Sequence, residues 1–403
     1  MVADIRPRCT HRGSGVDHLT TASGGNAIAL LENGEQYFPA LLAEIGAARR
    51  EIFLQFYIFD PDDTGRRVAS ALMRAAARGV TVRLMVDGFG GRPFVRSLMD
   101  DLQAGGVDVL IYRRELRVLS LRRHRLRRLH RKVVVIDGRT AFVGGINVVD
   151  DFEHHGPPHP RYDYAVRVEG PLLEPILGSV YRLWRLVAWA SFQRRVPVHL
   201  RAPAVVTPAG AVRAAYLIRD NLRHRFDIEN AYLEAIASAR EQILIANAYF
   251  FPGRRFRHAL LDAAARGVRV TLLLQGLADH PVQHYASRAL YPLFLERGIR
   301  LFEYHRSVLH AKVAVVDGGW ATVGSSNIDP FSLLLAREAN VVVQDRSFAA
   351  ELQRSLERAI DSGAKELRHE DWRRLPRLRR ALSWLAYQAV RLMIGVAGYG
   401  GKH

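Results

Sequence analysis

A single cysteine, Cys9, occurs in 403 residues. That excludes an intrachain disulfide framework and fits a reducing compartment, so stability must come from buried apolar surface. Acidic residues are also scarce. Asp and Glu number 40 against 58 Lys and Arg, a formal charge of +18. Such an excess points to a polyanionic partner, either nucleic acid or an anionic membrane surface. The opening MVADIRPRCTHRGSGVDHLTTAS contains no apolar h-region, so no signal peptide is predicted, and residues 1–22 read as a mobile polar arm. Long apolar runs are few. The longest at the carboxyl end, Ala381 to Gly398, is interrupted by Ser383, Gln388 and Arg391. It is barely long enough to span a bilayer, and its central charge favours an interfacial helix anchored by arginines. Disorder is excluded by an apolar content of 49%.

What the chain does contain is a repeat. His130-Arg131-Lys132 leads through four β-forming residues to Asp137, and His310-Ala311-Lys312 leads in the same way to Asp317. Asn147 and Asn327 each follow their histidine by seventeen residues, after Gly144-Gly145 and Gly324-Ser325 respectively. The duplication extends further. Ala263-Ala264-Ala265-Arg266-Gly267-Val268 copies Ala75-Ala76-Ala77-Arg78-Gly79-Val80 letter for letter, and buried strands alternate with helices in both halves. The predicted fold is therefore α/β: two pseudo-symmetric halves, each a mixed, mostly parallel sheet flanked by helices, sharing one site at their interface. The expected halves are 23–205 and 206–365, with a linker over Pro203–Gly210 and a basic, apolar membrane-associating tail over 366–403.

The halves are unequal before the motif. Gly106 to His130 spans twice the distance of Gly298 to His310, and eight arginines fall between Arg113 and Arg128. This insertion reads as a phosphate-attracting lip. His154, His155 and His159 lack matching cysteine or carboxylate partners and read as surface loop, so no metal site is expected.

Asp137-Gly138 is a hairpin turn signal. A two-residue turn would pair Lys132 with Val143 and His130 with Gly145, and His310 with Ser325 in the second copy. Histidine, lysine and asparagine would then share one face around a residue too small to fill the space. Lysine supplies charge and asparagine supplies directional N–H groups, so this grouping suits a phosphate, with Asn147, Asn327 and Ser325 as phosphate-binding candidates. Two copies brought together provide a nucleophile and a separate general acid. One histidine attacks phosphorus, and the other protonates the leaving oxygen and later deprotonates the acceptor. Two lysines and two asparagines balance the charge, so no metal or other cofactor is required. The same count places Asp137 and Asp317 at the hairpin tips, ~20 Å from the histidines by extended-chain rise, as turn-forming residues. Asp163 and Glu338 are the candidates to orient the imidazoles.

These residues resemble the phospholipase D superfamily, whose signature is a duplicated H-x-K-x4-D. His224-Arg225, the stretches Ala246 to Gly253 and Gly324 to Pro330, and Phe302-Glu303-Tyr304 are similar to bacterial cardiolipin synthases. They look like the B type, which lacks the amino-terminal transmembrane helices of the major enzyme. The resemblance covers about residues 23 to 370. It implies two α/β halves around one site, a phosphatidyl-histidine, and transfer from one phosphatidylglycerol to another with release of glycerol. It implies anionic phospholipids as partners, at the cytoplasmic face of the inner membrane, and assigns the active site to His130, Lys132, Asp137, His310, Lys312 and Asp317. By analogy, His130 is the nucleophile and His310 the general acid. One departure is Ala336, where the pattern has asparagine, which bears on the lipid headgroup. Two other classes compete with this reading. One is a metal-independent phosphodiesterase, either a nuclease or a phospholipase D-type hydrolase, with water as acceptor. The other is a non-catalytic scaffold.

Overall fold

The computed structural model describes residues 22–113, 127–152, 159–191, 207–220, 223–277, 281–329, 332, 336–374 and 377–396. The amino-terminal arm, most of the arginine-rich insertion, part of the linker, and His154 and His155 lie outside the described residues.

The first half contributes β1 (Ser23–Glu32), β2 (Glu51–Phe56), β3 (Thr81–Asp87), β4 (Asp108–Tyr112), β5 (Lys132–Ile136), β6 (Thr140–Gly144) and β7 (Tyr164–Glu169). The second contributes β8 (Val212–Arg219), β9 (Gln242–Asn247), β10 (Arg269–Gln275), β11 (Arg300–Tyr304), β12 (Lys312–Val316), β13 (Trp320–Gly324) and β14 (Glu338–Gln344), with β15 (Ala364–Leu367) added. All fifteen join in one sheet through β1 and β8. Outward from that seam the orders are β1-β7-β6-β5-β2-β3-β4 and β8-β14-β13-β12-β9-β10-β11, so the halves repeat strand for strand. β15 lies antiparallel on β11 at the far edge, and the tail boundary expected at 365 falls inside it.

The parallel share is smaller than the alternation of strands and helices predicts. In each half only the outer pairs run parallel, β2-β3-β4 and β9-β10-β11. The four pairings nearer the seam are antiparallel, because the motif returns on itself as a hairpin instead of crossing over through a helix.

Local chemistry explains the elements. Asp62 accepts from the Gly65 amide at 2.7 Å and caps helix Asp63–Ala77, which Gly79 ends at φ +87°. The strands read as nearly unbroken apolar runs because both faces are covered. One core layer spans the halves, with Val133, Val143 and Val166 in the same cluster as Val313, Val323 and Val341. Helices Leu173–Ala190 and Arg346–Gly363 also pack into it. Separate outer clusters bury helices Asn33–Ala47 and Asp63–Ala77 in the first half, and Asp227–Ser238 and Arg254–Ala265 in the second. The sequence repeat is therefore one layered body whose middle core holds the two motif hairpins against each other.

Candidate active site at the seam between the halves

The hairpin register differs by one residue from the two-residue expectation. Lys132 faces Gly144 and Ile136 faces Thr140, leaving Asp137, Gly138 and Arg139 as a three-residue connection. Asp137 and Gly138 both adopt positive φ, 53° and 63°, and the Arg139 amide closes onto Ile136 O at 2.9 Å. Asp317 and Gly318 repeat this at 47° and 58°. The expected pairing of His130 with Gly145 is thus corrected, as is that of His310 with Ser325. A left-handed aspartate followed by glycine builds the longer turn at low steric cost, which the dipeptide signal alone did not distinguish.

Asp137 and Asp317 lie at the hairpin tips, each ~20 Å along the chain from its histidine. Asp137 accepts from the amides of Arg49, Arg50 and Glu51 at 2.8–2.9 Å. Asp317 accepts likewise from Arg240, Glu241 and Gln242 at 2.8–2.9 Å. These three amides hold the Asp317 carboxyl below its ordinary range, although partial burial pushes the other way. Each aspartate locks a hairpin tip to the entry of β2 or β9, and neither is brought to the imidazoles.

The carboxylates beside the imidazoles come from the opposite half. Glu338 Oε1 lies 2.9 Å from His130 Nδ1, and Asp163 Oδ2 lies 2.5 Å from His310 Nδ1. Backbone bridges enforce the crossing. The amides of His130 and Arg131 both donate to Arg337 O, at 3.0 and 2.8 Å. His310 N donates to Tyr162 O at 2.8 Å, and Tyr162 N to Val308 O at 2.9 Å. The residue before each acid is therefore pinned to the segment around the other half's histidine. With Nδ1 committed to a carboxylate, each Nε2 remains for chemistry.

The small residues opposite the motifs have a different use from the one expected. A Cβ on Gly145 would stand 2.3 Å from Asp163 Oδ1, so the missing side chain leaves room for the orienting acid. Its counterpart Ser325 is fully buried and donates to Glu338 Oε2 at 2.5 Å while accepting from the Ala339 amide at 3.1 Å. Ser325 thus holds the carboxylate, and its hydroxyl is not turned to a phosphate.

Lys132 and Lys312 are both buried. Lys132 Nζ donates to His130 O at 2.7 Å. Lys312 Nζ bonds His310 O and approaches His310 Nδ1 at 2.8 Å and Asp163 Oδ2 at 3.7 Å. Burial and mutual repulsion bring Lys132 down to about 7, and burial brings Lys312 down to about 8. Burial likewise lowers His130 despite the anionic Glu338, and lowers His310 further with help from Lys312. Asp163 is pushed up to about 6 by burial against the pull of Lys312. Burial thus biases both imidazoles toward the neutral form, as an attacking nitrogen requires.

His130 opens on a cleft of about 450 Å³ lined by residues of both halves, among them Tyr57, Arg128, Tyr249, Gln283, Asn327 and Ala336. The Tyr57 ring lies 5.0 Å from the His130 ring and 5.6 Å from Lys132 Nζ. Asn147 Oδ1 accepts from the Ile58 amide at 3.1 Å, which orients its amide group, and Asn327 sits in the cleft wall. Arg131, the spacer of the first motif, turns to the other face of the strand, bonding Gln55 and Ser179 at 2.7 Å each. His159 lines a separate hollow with Tyr162 and Arg306. Among the described residues, no group of three His, Cys, Asp or Glu side chains is placed to hold a metal.

Sequence reasoning missed Tyr57, Tyr249, Asp87 and Gln275. Asp87 accepts from the Leu129 amide at 2.8 Å and Gln275 from Leu309 at 3.1 Å, each fixing the residue before a histidine. Burial raises the Asp87 carboxyl to about 6. The signal was available, since Asp87 and Gln275 stand equally far after Gly79 and Gly267 in the repeated block.

Comparison with known proteins places this constellation. The family described as "Cardiolipin synthase, PLD-like domain" matches residues 41–151 and 232–360, both motif hairpins included. The chain belongs to this family. It is similar to cardiolipin synthase B of Escherichia coli K12, with 43% identity over 343 residues, 85% of this chain and 82% of that protein. It is also similar to a probable cardiolipin synthase of Bacillus subtilis, with 30% identity over 350 residues, 87% of this chain and 68% of that protein. In fold it resembles the phosphatidylserine synthase of Haemophilus influenzae. The TM-score is 0.64 at 13% identity, covering 92% of this chain and 94% of the other. Both motif hairpins at the seam lie within the matched segments, and Ala336 lines the cleft.

Proposed function

We propose that the chain is a cardiolipin synthase, a phosphatidyltransferase that joins two phosphatidylglycerols. The observation that carries this is the crossed pairing of two carboxylate-oriented histidines beside two buried lysines, in a chain 43% identical to a cardiolipin synthase B. His130 Nε2 attacks phosphorus, the N–P bond forms, and the P–O bond to glycerol breaks. His310 delivers the proton to the departing glycerol oxygen. It then takes the proton from a hydroxyl of the second phosphatidylglycerol, whose oxygen forms the new P–O bond as N–P breaks. Two phosphatidylglycerols give one cardiolipin and one glycerol. His130 is assigned the attack because it lines the cleft. His310 needs a proton for the first step, and an anionic phosphodiester beside Lys312 supplies the charge that raises its basicity.

Lys132 and Lys312 neutralise the phosphoryl oxygens, and Asn147 and Asn327 orient them. Asp163 and Glu338 fix the imidazoles, while Asp137 and Asp317 act through the backbone. The substrates are anionic lipids at a membrane surface. The enzyme works from the cytoplasmic face of the inner membrane as a peripheral or monotopic protein, and no helix among the described residues is long and apolar enough to cross a membrane.

Mass spectrometry of products from phosphatidylglycerol vesicles tests this. Cardiolipin and free glycerol in equal amounts, abolished by His130→Ala, are expected. Phosphatidic acid as the main product would mean that water is the acceptor and the chain a hydrolase. Cleavage of DNA with no lipid product would overturn the reading.

A further inference from the structure

The amphipathic tail is not simply appended to the fold. Helix Arg377–Val396 packs against helix Pro281–Arg288, whose first residues, Pro281, Val282 and Gln283, line the His130 cleft. Its inner face buries Ser383 and Val390 and sets Tyr387 5.4 Å from the Phe251 ring. Among its described side chains, 381–392, Leu382, Trp384, Leu385 and Leu392 are 43–69% exposed, and Ala381 and Ala389 are exposed beside them. Leu382, Leu385, Ala389 and Leu392 follow helical spacing and share one side. Val282, on the cleft lip itself, is 52% exposed.

The first-half side carries a matching feature. Phe89 is 43% exposed, and the guanidiniums of Arg92 and Arg128 lie 4.5 and 4.7 Å from its ring. Arg128 lines the same cleft. Arg391 borders the apolar face of the tail helix, over the Tyr387 ring. Exposed apolar side chains and guanidiniums therefore occur beside the cleft in both halves.

We propose that these two lips form one bilayer-docking surface. On it, the tail helix and Val282 on one side, and Phe89 with its two arginines on the other, seat the cleft mouth on an anionic membrane. Apolar side chains enter the headgroup boundary while the arginines meet lipid phosphates. A donor lipid then passes its headgroup to His130 with its chains still in the bilayer. A second copy of the chain is the poorer occupant, because covering both lips would close the mouth that a two-chain substrate must use. This rests on the phosphatidyltransferase reading for its purpose, but not for its geometry.

The test uses the full chain, with vesicles of phosphatidylcholine containing phosphatidylserine for binding and phosphatidylglycerol for turnover. Soluble short-chain phosphatidylglycerol, kept below its micelle concentration, serves as the non-membrane substrate. Leu385→Asp with Leu392→Asp, and separately Phe89→Ser, are compared with the parent. The double variant is expected to bind vesicles ~100-fold more weakly, and Phe89→Ser ~10-fold. Turnover on vesicles should fall with binding, while turnover of the short-chain lipid stays within ~2-fold. Unchanged vesicle binding would overturn the proposal. So would equal loss on both substrates, or a parent dimer in sedimentation that the double variant splits. If no lipid is turned over by any form, yet the variants still lose vesicle binding, the docking surface stands and the transferase reading fails.

Discussion

Asp137→Ala separates structural from chemical roles within the motif. The carboxylate accepts three amides, from Arg49, Arg50 and Glu51, at a half-buried position. Each such bond contributes ~0.5–1.5 kcal/mol net. Alanine at φ 53° adds ~1 kcal/mol of left-handed backbone cost. The expected loss is ~3–4 kcal/mol. A chain of 403 residues unfolds with an entropy of roughly 0.8 kcal/mol/K, so Tm should fall by ~4–5 °C. Asp137→Asn tolerates the left-handed backbone and keeps an acceptor oxygen, so it should lose less than half of that. The site should barely respond. Strand β5 remains paired with β2 and β6 along its length, and His130 lies ~20 Å away. Calorimetry and kcat on phosphatidylglycerol vesicles, measured at 20 °C where both variants are folded, check this. A kcat loss of ~100-fold with Tm unmoved would refute the argument, since it would require Asp137 to act on the reacting groups.

Glu338→Gln keeps the shape beside His130 but removes the charge, so kcat/KM should drop ~10²–10⁴-fold with little change in Tm. Because the anion raises His130, its loss should also move the acid limb of the pH profile to lower pH; an unmoved limb would contradict the contact. The lysines set the alkaline side. Lys132 and Lys312, lowered to about 7 and about 8, are charged below those values and lose charge as pH rises through them. The kcat/KM should therefore decline above pH 7–8, and a flat profile to pH 9 would count against phosphate binding by the lysines. Gly145→Ala puts a methyl against the Asp163 carboxylate, which must withdraw from His310. Turnover should fall by ~100-fold, and His310, without its counter-ion, should titrate lower still by NMR.

The elements were legible because their signals are local. The alternation of buried β strands with helices in both halves follows from periodicity. The repeat revealed that the chain is two copies of one unit, and the resemblance of its motifs to a known family pointed to the chemistry. Asp163 and Glu338 could be nominated as orienting acids, and the distance from Asp137 to His130 could be counted.

Three things were decided only by the tertiary structure. The turn after Ile136 has three residues instead of two, a difference set by the backbone closing onto Ile136 O and by Asp137 reaching across to β2. Gly145 and Ser325 accommodate the carboxylates beside the imidazoles, which depends on Asp163 arriving just before β7 and Glu338 at the start of β14. Above all, each acid holds the histidine of the other half, Glu338 reaching His130 across 208 residues and Asp163 reaching His310 across 147. Residue spacing cannot encode that crossing. It arises where β1 and β8 join two equivalent sheets into one, and where Arg337 and Tyr162 pair their backbones with the opposite motif. The sequence by itself determined two half-sites with the right chemistry, and the hydrogen bonds across the seam made them one.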